Sequence, residues 1–209
     1  MRVRFSPLAL LAVAVLAAAC RVEPQGEPQA APEMTAVPTS PCHVASGTVD
    51  EARARPSPLS EMTFAVGGYE GTLCYGAPSA NGRVIMGALV PFGEIWRLGA
   101  NEATALHLSG PAVVGGVRLE AGSYSLYAIP GEGEWTFFLN SNVNRWGVPV
   151  DDAVRATEVG SFIASVEGTE AFVETLGFRF EGAEGGVMGD VVLEWENTRV
   201  RFHLAPGAG

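Results

Sequence analysis

Short runs of alternating apolar and polar residues fill the chain from Leu59 onward. Alternation with a period of two is typical of half-buried β-strands, and short glycine- or proline-containing turns between such runs predict hairpins. The pattern predicts hairpins over 61–75, 112–119 and 122–139 and a strand over 104–108. It also predicts strands at 84–89, 94–98, 159–166, 172–180, 187–195 and 198–204.

These runs predict an all-β domain over 59–206, an antiparallel β-sandwich or flattened barrel of about ten short strands. The chain contains 26 glycines and 14 prolines, which favours turns over long helices. At most one or two short helices are expected, over 49–55 and 150–156. In the second of these, Asp151 and Asp152 lie where they can cap the helix start.

Residues 1–19 have the pattern of a signal peptide, since two arginines precede an apolar run that ends in small residues just before Cys20. That ending resembles the lipobox of bacterial lipoproteins, in which the cysteine is acylated and becomes the new N-terminus. The alternative is an ordinary signal peptide with Cys20 incidental. We expect an exported protein that is anchored in the cell envelope by lipid on Cys20. By resemblance to lipoprotein sorting signals, Arg21 indicates the outer membrane, facing the periplasm.

Residues 20–58 are expected to form a tether between the lipid and the β domain. The segment up to Pro41 has no apolar periodicity, and its prolines prevent a helix and stiffen the chain. Acylation of Cys20 would leave two thiols, Cys42 and Cys74, in an oxidising compartment, so we expect a disulfide between them. The alternative is that Cys74 is a small buried apolar residue of a strand.

The charge pattern and the motifs exclude several classes of function. The formal net charge is −10, lysine is absent and no basic stripe is present, so no nucleic-acid partner is expected. No phosphate-binding loop, dinucleotide fingerprint or nucleophile elbow occurs, so no cofactor is expected. The histidines 43, 107 and 203 lack ligand spacing, which argues against a metal site. His107 shares one face of its strand with small residues; we expect it to be solvated, and the alternative is that this face lines a groove.

The densest polar cluster is Arg97, Asn101 and Glu102. Arg97 can clamp a carboxylate, sulfate or phosphate, with Asn101 and Glu102 fixing a polar ligand. Alternatively, Arg97 and Glu102 form a partly buried ion pair that holds a crossover between strands. Tyr75, Arg83 and Trp96 are expected at the same end of the domain, where Gly76 and Gly82 indicate loops.

The same region resembles one bacterial family, the domain-of-unknown-function family 2911. The resemblance is carried by YGAPSANGR at 75–83, VPFGEIWRLGANEAT at 90–104, AGSYSLYAIP at 121–130 and EWT at 134–136. It covers roughly 59–203, and the run 90–104 is its most specific part. The resemblance implies no activity, because the family has none established. Residue types alone favour a structural role for Arg97, Asn101 and Glu102. The family resemblance increases the support for a functional role.

Two functions of different classes fit the sequence. The first is a non-catalytic, lipid-anchored envelope module that binds a small polar or glycan ligand or a protein partner. The second is a hydrolase-like enzyme in which Glu102 is the general base and Arg97 the electrostatic stabiliser. The environment of Glu102 separates them, since a general base needs a cleft and a raised pKa. We prefer the binding module, because no complete catalytic constellation is present.

Overall fold

A computed structural model describes residues 42–183 and 186–207. The predicted signal peptide, the predicted acylation of Cys20 and the part of the predicted tether up to residue 41 lie outside these residues. Within them, no helix has both the length and the apolar character needed to cross a membrane.

The described chain forms nine strands and two short helices, which confirms the predicted all-β class. The strands are β1 (Leu59–Val66), β2 (Tyr69–Gly76), β3 (Thr104–Leu108), β4 (Ala112–Val114), β5 (Val117–Leu119), β6 (Gly122–Pro130), β7 (Glu134–Asn140), β8 (Glu158–Gly182) and β9 (Gly189–Pro206). The helices are α1 (Val49–Arg53) and α2 (Asp152–Arg155). Asp151 is the N-cap of α2, its side chain accepting from the amide of Val154.

The strands pair antiparallel in the order β1-β2-β3-β6-β7-β8-β9-β4-β5. The sheet folds over as a β-sandwich, so that β1 packs against β8 and β9. Alternate residues of β1, Met62, Phe64 and Val66, point into the shared core. The largest fully buried side chains there include Trp135, Trp195 and Phe137. Each such side chain contributes about 1.5–3 kcal/mol by leaving water.

The predicted strands at 84–89 and 94–98 are wrong. Both lie in the long connection between β2 and β3, and each of them contributes only an isolated bridge, at Met86 and at Trp96, within the described chain. The apolar residues of this connection, such as Ile85 and Val90, are buried against the core from a loop. Short apolar runs indicate burial, but they do not by themselves distinguish a strand from a covering loop.

The last four predicted strands form two long ones. The runs 159–166 and 172–180 join as β8, and the runs 187–195 and 198–204 join as β9. The two runs were predicted as separate strands, but β8 continues through 167–171 with shifts of register against β9. β-Bulges allow this, because an extra residue bends a strand without ending it.

The segment 42–58 packs on the outer face of the sheet, away from the main core. Its residues Cys42 and Ala52 form a small apolar cluster with Leu59, Cys74 and Ala105. A disulfide joins Cys42 to Cys74, with Cα atoms 5.7 Å apart. The start of the described chain is thereby fixed covalently to β2.

His107 also lies on this outer face, but it is buried rather than solvated. Its side chain is 3% exposed, and its Nδ1 lies 2.8 Å from the hydroxyl of Ser123. Its Nε2 has no hydrogen-bond partner among the described residues. Burial lowers the pKa of His107.

Candidate functional site

The chain makes a tight corner after residue 97 and brings the predicted site residues to different places. Leu98 and Asn101 adopt left-handed backbone conformations, with φ of 55° and 65°. Such conformations are uncommon for residues other than glycine. Leu98 is held there because it is fully buried and its carbonyl accepts from the hydroxyl of Thr104 at 2.8 Å. Asn101 and Glu102 form hydrogen bonds with the segment 42–58, whereas the Arg97 side chain bonds to the corner itself, at Gly99.

Glu102 forms an ion pair with Arg55, so the predicted pair between Arg97 and Glu102 is wrong. Both carboxylate oxygens of Glu102 lie 2.9 Å from the same guanidinium nitrogen of Arg55. The amide of Ala45 donates to the same carboxylate at 3.1 Å. Glu102 is 7% exposed, and its neighbours include a cavity of about 10 Å³. A cavity of this size holds about one water molecule.

The surroundings of Glu102 stabilise its charged form. Burial by itself would raise its pKa, but hydrogen bonds from Arg55 and from backbone amides, together with the charge of Arg55, lower the pKa overall. A general base that works near neutral pH needs a carboxylate with a raised pKa. Glu102 therefore has the environment of a structural anion.

Asn101 makes a second contact with the N-terminal segment. Its side-chain amide donates to the carbonyl of Ser57 at 2.9 Å. Glu102 accepts hydrogen bonds from the amide of Ala45 and the guanidinium of Arg55. Arg55 in turn donates to the carbonyl of Ser46. Asn101 and Glu102 thus fasten 42–58 to the sheet at several points. We call this set of contacts, together with the disulfide, the latch.

Arg97 is partly buried and has no acidic partner among the described residues. Its Nε donates to the carbonyl of Gly99 at 3.2 Å. Gly147 allows this placement, because a Cβ there would lie 2.6 Å from Cδ of Arg97. Burial lowers the pKa of Arg97, since a guanidinium loses hydration there without gaining a counter-charge.

Arg83 borders the same space as Arg97. Its Nε donates to the carbonyl of Ala80 at 2.9 Å, and one terminal nitrogen donates to the carbonyl of Ser79 at 2.7 Å. These carbonyls orient the guanidinium without neutralising it. Arg83 also has no carboxylate partner in the described part of the chain.

The two arginines line a cleft of about 350 Å³, which we call the arginine cleft. The other lining residues are apolar or small: Ser57, Pro78, Leu89, Val90, Ile95, Trp96, Gly99, Ala100, Val148 and Trp195. Among the described residues, no aspartate or glutamate lines the cleft, although the chain as a whole carries a net charge of −10. Its electrostatic character is therefore opposite to that of the protein as a whole.

Aromatic packing makes one wall of the cleft rigid. The ring of Trp96 stacks on Trp195 at 6.0 Å and meets Trp135 edge to face at 5.6 Å. Val148 is supported through Arg145, which donates to the carbonyls of Trp146 and Gly147. Such support fixes the shape of the cleft before a ligand arrives.

Tyr75 lies in the core and does not line the arginine cleft. Its ring packs edge to face on Phe178, and its hydroxyl accepts from the amide of the same residue at 3.2 Å. Of the five candidate binding residues, the structure brings Arg83 and Arg97 together in the cleft. Asn101 and Glu102 belong to the latch, and Tyr75 belongs to the interior.

Sequence analysis did not identify Arg55, Ser57 or Val148 as part of either region. Each lies outside the dense motif at 90–104 and reaches it only through the tertiary fold. The run RWG at 145–147 lies within the region that resembles the family. It was the one sequence feature that could have drawn attention to Val148, which follows it directly. In the described residues, no group of three or more His, Cys, Asp or Glu side chains is arranged to hold a metal ion.

Comparison with known proteins gives one match. A family model described as "Protein of unknown function (DUF2911)" matches residues 57–204. No curated protein and no solved structure matches the chain. The matched range begins at Ser57, so it contains the whole lining of the arginine cleft and excludes Arg55.

Proposed function

The chain belongs to the DUF2911 family, and we propose that it is a lipid-anchored envelope domain that binds a small carboxylate- or phosphate-bearing ligand in the arginine cleft. The observation that supports ligand binding is the partly buried Arg97, which lacks an acidic partner in the described chain. A cation removed from water without a counter-charge is unfavourable, and an anionic ligand would supply that charge.

The ligand is expected to combine an anionic group with an apolar body. Arg83 and Arg97 would bind the anion through charge-assisted hydrogen bonds, which are shorter and stronger than neutral ones. Leu89, Trp96 and Val148 would cover the apolar part. This chemistry favours an anion over a neutral glycan, which would leave both guanidinium groups without a counter-charge.

The hydrolase alternative has less support. Glu102 does not line the arginine cleft, and the cavity beside it shares no lining residue with the cleft. A carboxylate that accepts two hydrogen bonds from Arg55 is not available to activate water. We therefore propose no catalytic role for Glu102.

Export and lipid anchoring are supported by the N-terminal pattern and by the disulfide. Disulfides persist in oxidising compartments such as the bacterial periplasm. The disulfide at Cys42 would also fix the point at which the tether meets the domain. Expression with radiolabelled palmitate tests the anchor: we expect label in the wild type and none in Cys20→Ala. Equal labelling of the two chains, or no label in either, would contradict the anchor.

Isothermal titration of the full chain in detergent micelles tests anion binding. We expect 4-methylpentanoate to bind and its neutral amide to bind about tenfold more weakly or worse. Arg97→Gln should remove the preference for the acid. Arg53→Gln is the matched control, since it removes an exposed arginine outside the cleft. Equal binding of acid and amide, or equal losses in the two variants, would contradict the proposal.

A further inference from the structure

The backbone beside Arg97 is paired on one side only, through a single isolated β-bridge and not through a strand. The amide of Trp96 donates to the carbonyl of Ala128 at 2.7 Å, and the amide of Ala128 donates back at 2.9 Å. This antiparallel bridge attaches the segment Ile95–Arg97 to β6. In such a pair, the residues on either side of the bridged one direct their N–H and C=O groups away from the partner strand.

Within the part of the chain that the structure describes, the outward backbone groups of Ile95 and Arg97 have no hydrogen-bond partners. Neither residue gives or receives a backbone hydrogen bond among residues 42–183 and 186–207. Both residues line the arginine cleft. The cleft therefore presents hydrogen-bond donors and acceptors at strand spacing, next to two cations.

From this juxtaposition we infer that the ligand of the arginine cleft is an extended peptide segment with a free carboxylate, which pairs with Ile95–Arg97 as an added strand. This inference rests on the proposed anion-binding function and specifies its ligand. The peptide carboxylate would meet Arg83 and Arg97, and the peptide backbone would complete the open edge. Strand addition of this kind takes affinity from main-chain hydrogen bonds and specificity from side-chain pockets.

A peptide uses features of the cleft that a simple organic acid leaves unused. An alkyl carboxylate could neutralise the arginines, but it carries no N–H or C=O groups for the edge. Natural sheets normally shorten or cover open edges; of the two terminal strands here, β5 spans only Val117–Leu119, whereas β1 spans Leu59–Val66. At Ile95–Arg97 the unpaired backbone lies inside a concave, cationic site. Such an arrangement is expected of a peptide-binding groove.

The size of the cleft limits the peptide to a short segment. Its volume of about 350 Å³ lies near the lower end of the ~300–1,000 Å³ found for ligand sites. The apolar wall at Leu89, Trp96 and Val148 suits an aliphatic side chain beside the carboxylate. A probe with these properties is the tripeptide N-acetyl-Ala-Leu-Ala with a free C-terminus.

Four probes on the full chain in detergent micelles separate the parts of this inference. They are the free-acid tripeptide, its C-terminal amide, the same acid with an N-methyl group on the leucine nitrogen, and 4-methylpentanoate. We expect the free acid to bind most tightly, and the amide to bind about tenfold more weakly or worse. The N-methyl peptide and 4-methylpentanoate should each lose about fivefold or more, because they lack backbone hydrogen bonds to the edge.

Hydrogen exchange gives a readout that does not depend on any variant. The free-acid peptide should slow exchange at the amides of Ile95 and Arg97. It should change Trp96 less, since the Trp96 amide is already bonded to β6. Arg97→Gln should remove the slowing, and Arg53→Gln should keep it.

The outcomes distinguish the inference from the function on which it rests. If 4-methylpentanoate binds through Arg97 at least as tightly as the free-acid peptide, or if N-methylation has no effect, the peptide inference is overturned and anion binding stands. If no acid binds better than its amide, or Arg97→Gln leaves every affinity unchanged, both proposals are overturned.

Discussion

The latch and the arginine cleft adjoin at Ser57, which contacts Asn101 and also lines the cleft, but the charged side chains of the two regions have different environments. In the latch, Glu102 is buried and its charge is balanced by Arg55. In the cleft, Arg97 is partly buried and has no acidic partner in the described chain. Arg97 lies four positions before Asn101 and five before Glu102 in one motif, yet its role differs from theirs. A buried charge that forms an ion pair within the fold indicates a structural role. A partly buried charge without such a partner indicates a ligand-binding role.

The largest predicted effect is in the latch. Arg55→Ala leaves the carboxylate of Glu102 buried and unpaired, so we expect a loss of about 3–5 kcal/mol in the free energy of unfolding. Urea unfolding followed by tryptophan fluorescence measures it. Arg53→Ala is the control, because the pair between Arg53 and Glu61 is exposed and should contribute about 0–1 kcal/mol. Equal effects of the two variants would contradict the assignment of Glu102 to the scaffold.

Removal of the disulfide should have the next largest effect. The bond between Cys42 and Cys74 closes a loop with a sequence separation of 32. In the chain-entropy model, replacing both cysteines by alanine should lower the free energy of unfolding by about 3–4 kcal/mol. Reducing agent provides the control, since it should destabilise the wild type to a similar extent and leave the double variant unchanged. A wild type that is insensitive to reduction would contradict this prediction.

Acid should weaken the latch before it affects the cleft. Because the folded state lowers the pKa of Glu102, its contribution to stability is complete above the unfolded value of about 4.3 and is lost as pH falls through the lower folded value. The stability difference between the wild type and Glu102→Gln should therefore shrink with acidification below that unfolded value. A difference that stays constant down to the acid transition would show that the charge of Glu102 does not stabilise the fold.

The smallest expected stability effect is at Arg97. Arg97→Gln removes a desolvated cation that has no counter-charge, so the free energy of unfolding should change by about 1 kcal/mol or less, in either direction. The same urea unfolding experiment measures this value beside that of Arg55→Ala. A loss as large as the one expected for Arg55→Ala would assign Arg97 to the scaffold and remove the contrast between the two regions.

Features that depend on neighbouring residues in the sequence were predicted correctly, whereas features that depend on tertiary contacts were not. The hairpins formed by β1 and β2 and by β6 and β7 follow from alternation and turns within a few residues, and the structure confirms both. The connection between β2 and β3 was assigned two strands, because burial of Ile85 and Val90 from a loop leaves the same apolar signal. His107 was expected in solvent, since alternation identifies the two faces of a strand but not what covers each one.

The candidate site shows the same limit. The motif at 90–104 identified the corner and its charged residues, but pairing Arg97 with Glu102 assumed that charges close in sequence meet in space. The partner of Glu102 is Arg55, 47 positions away, and no local pattern points to it. Likewise, Arg83 and Arg97 share a cleft because the loop between β2 and β3 folds back on itself.

The most direct test of the contrast is a titration of the full chain with 4-methylpentanoate, observed through the ¹H–¹⁵N signals of the arginine Nε groups. Such signals report on each guanidinium separately, so one experiment samples both regions. We predict that the Nε signals of Arg83 and Arg97 move with a common affinity while the signal of Arg55 stays in place. Movement of Arg55 with Arg97, or no movement of Arg97, would contradict the claim that the charge of Arg97 serves a ligand.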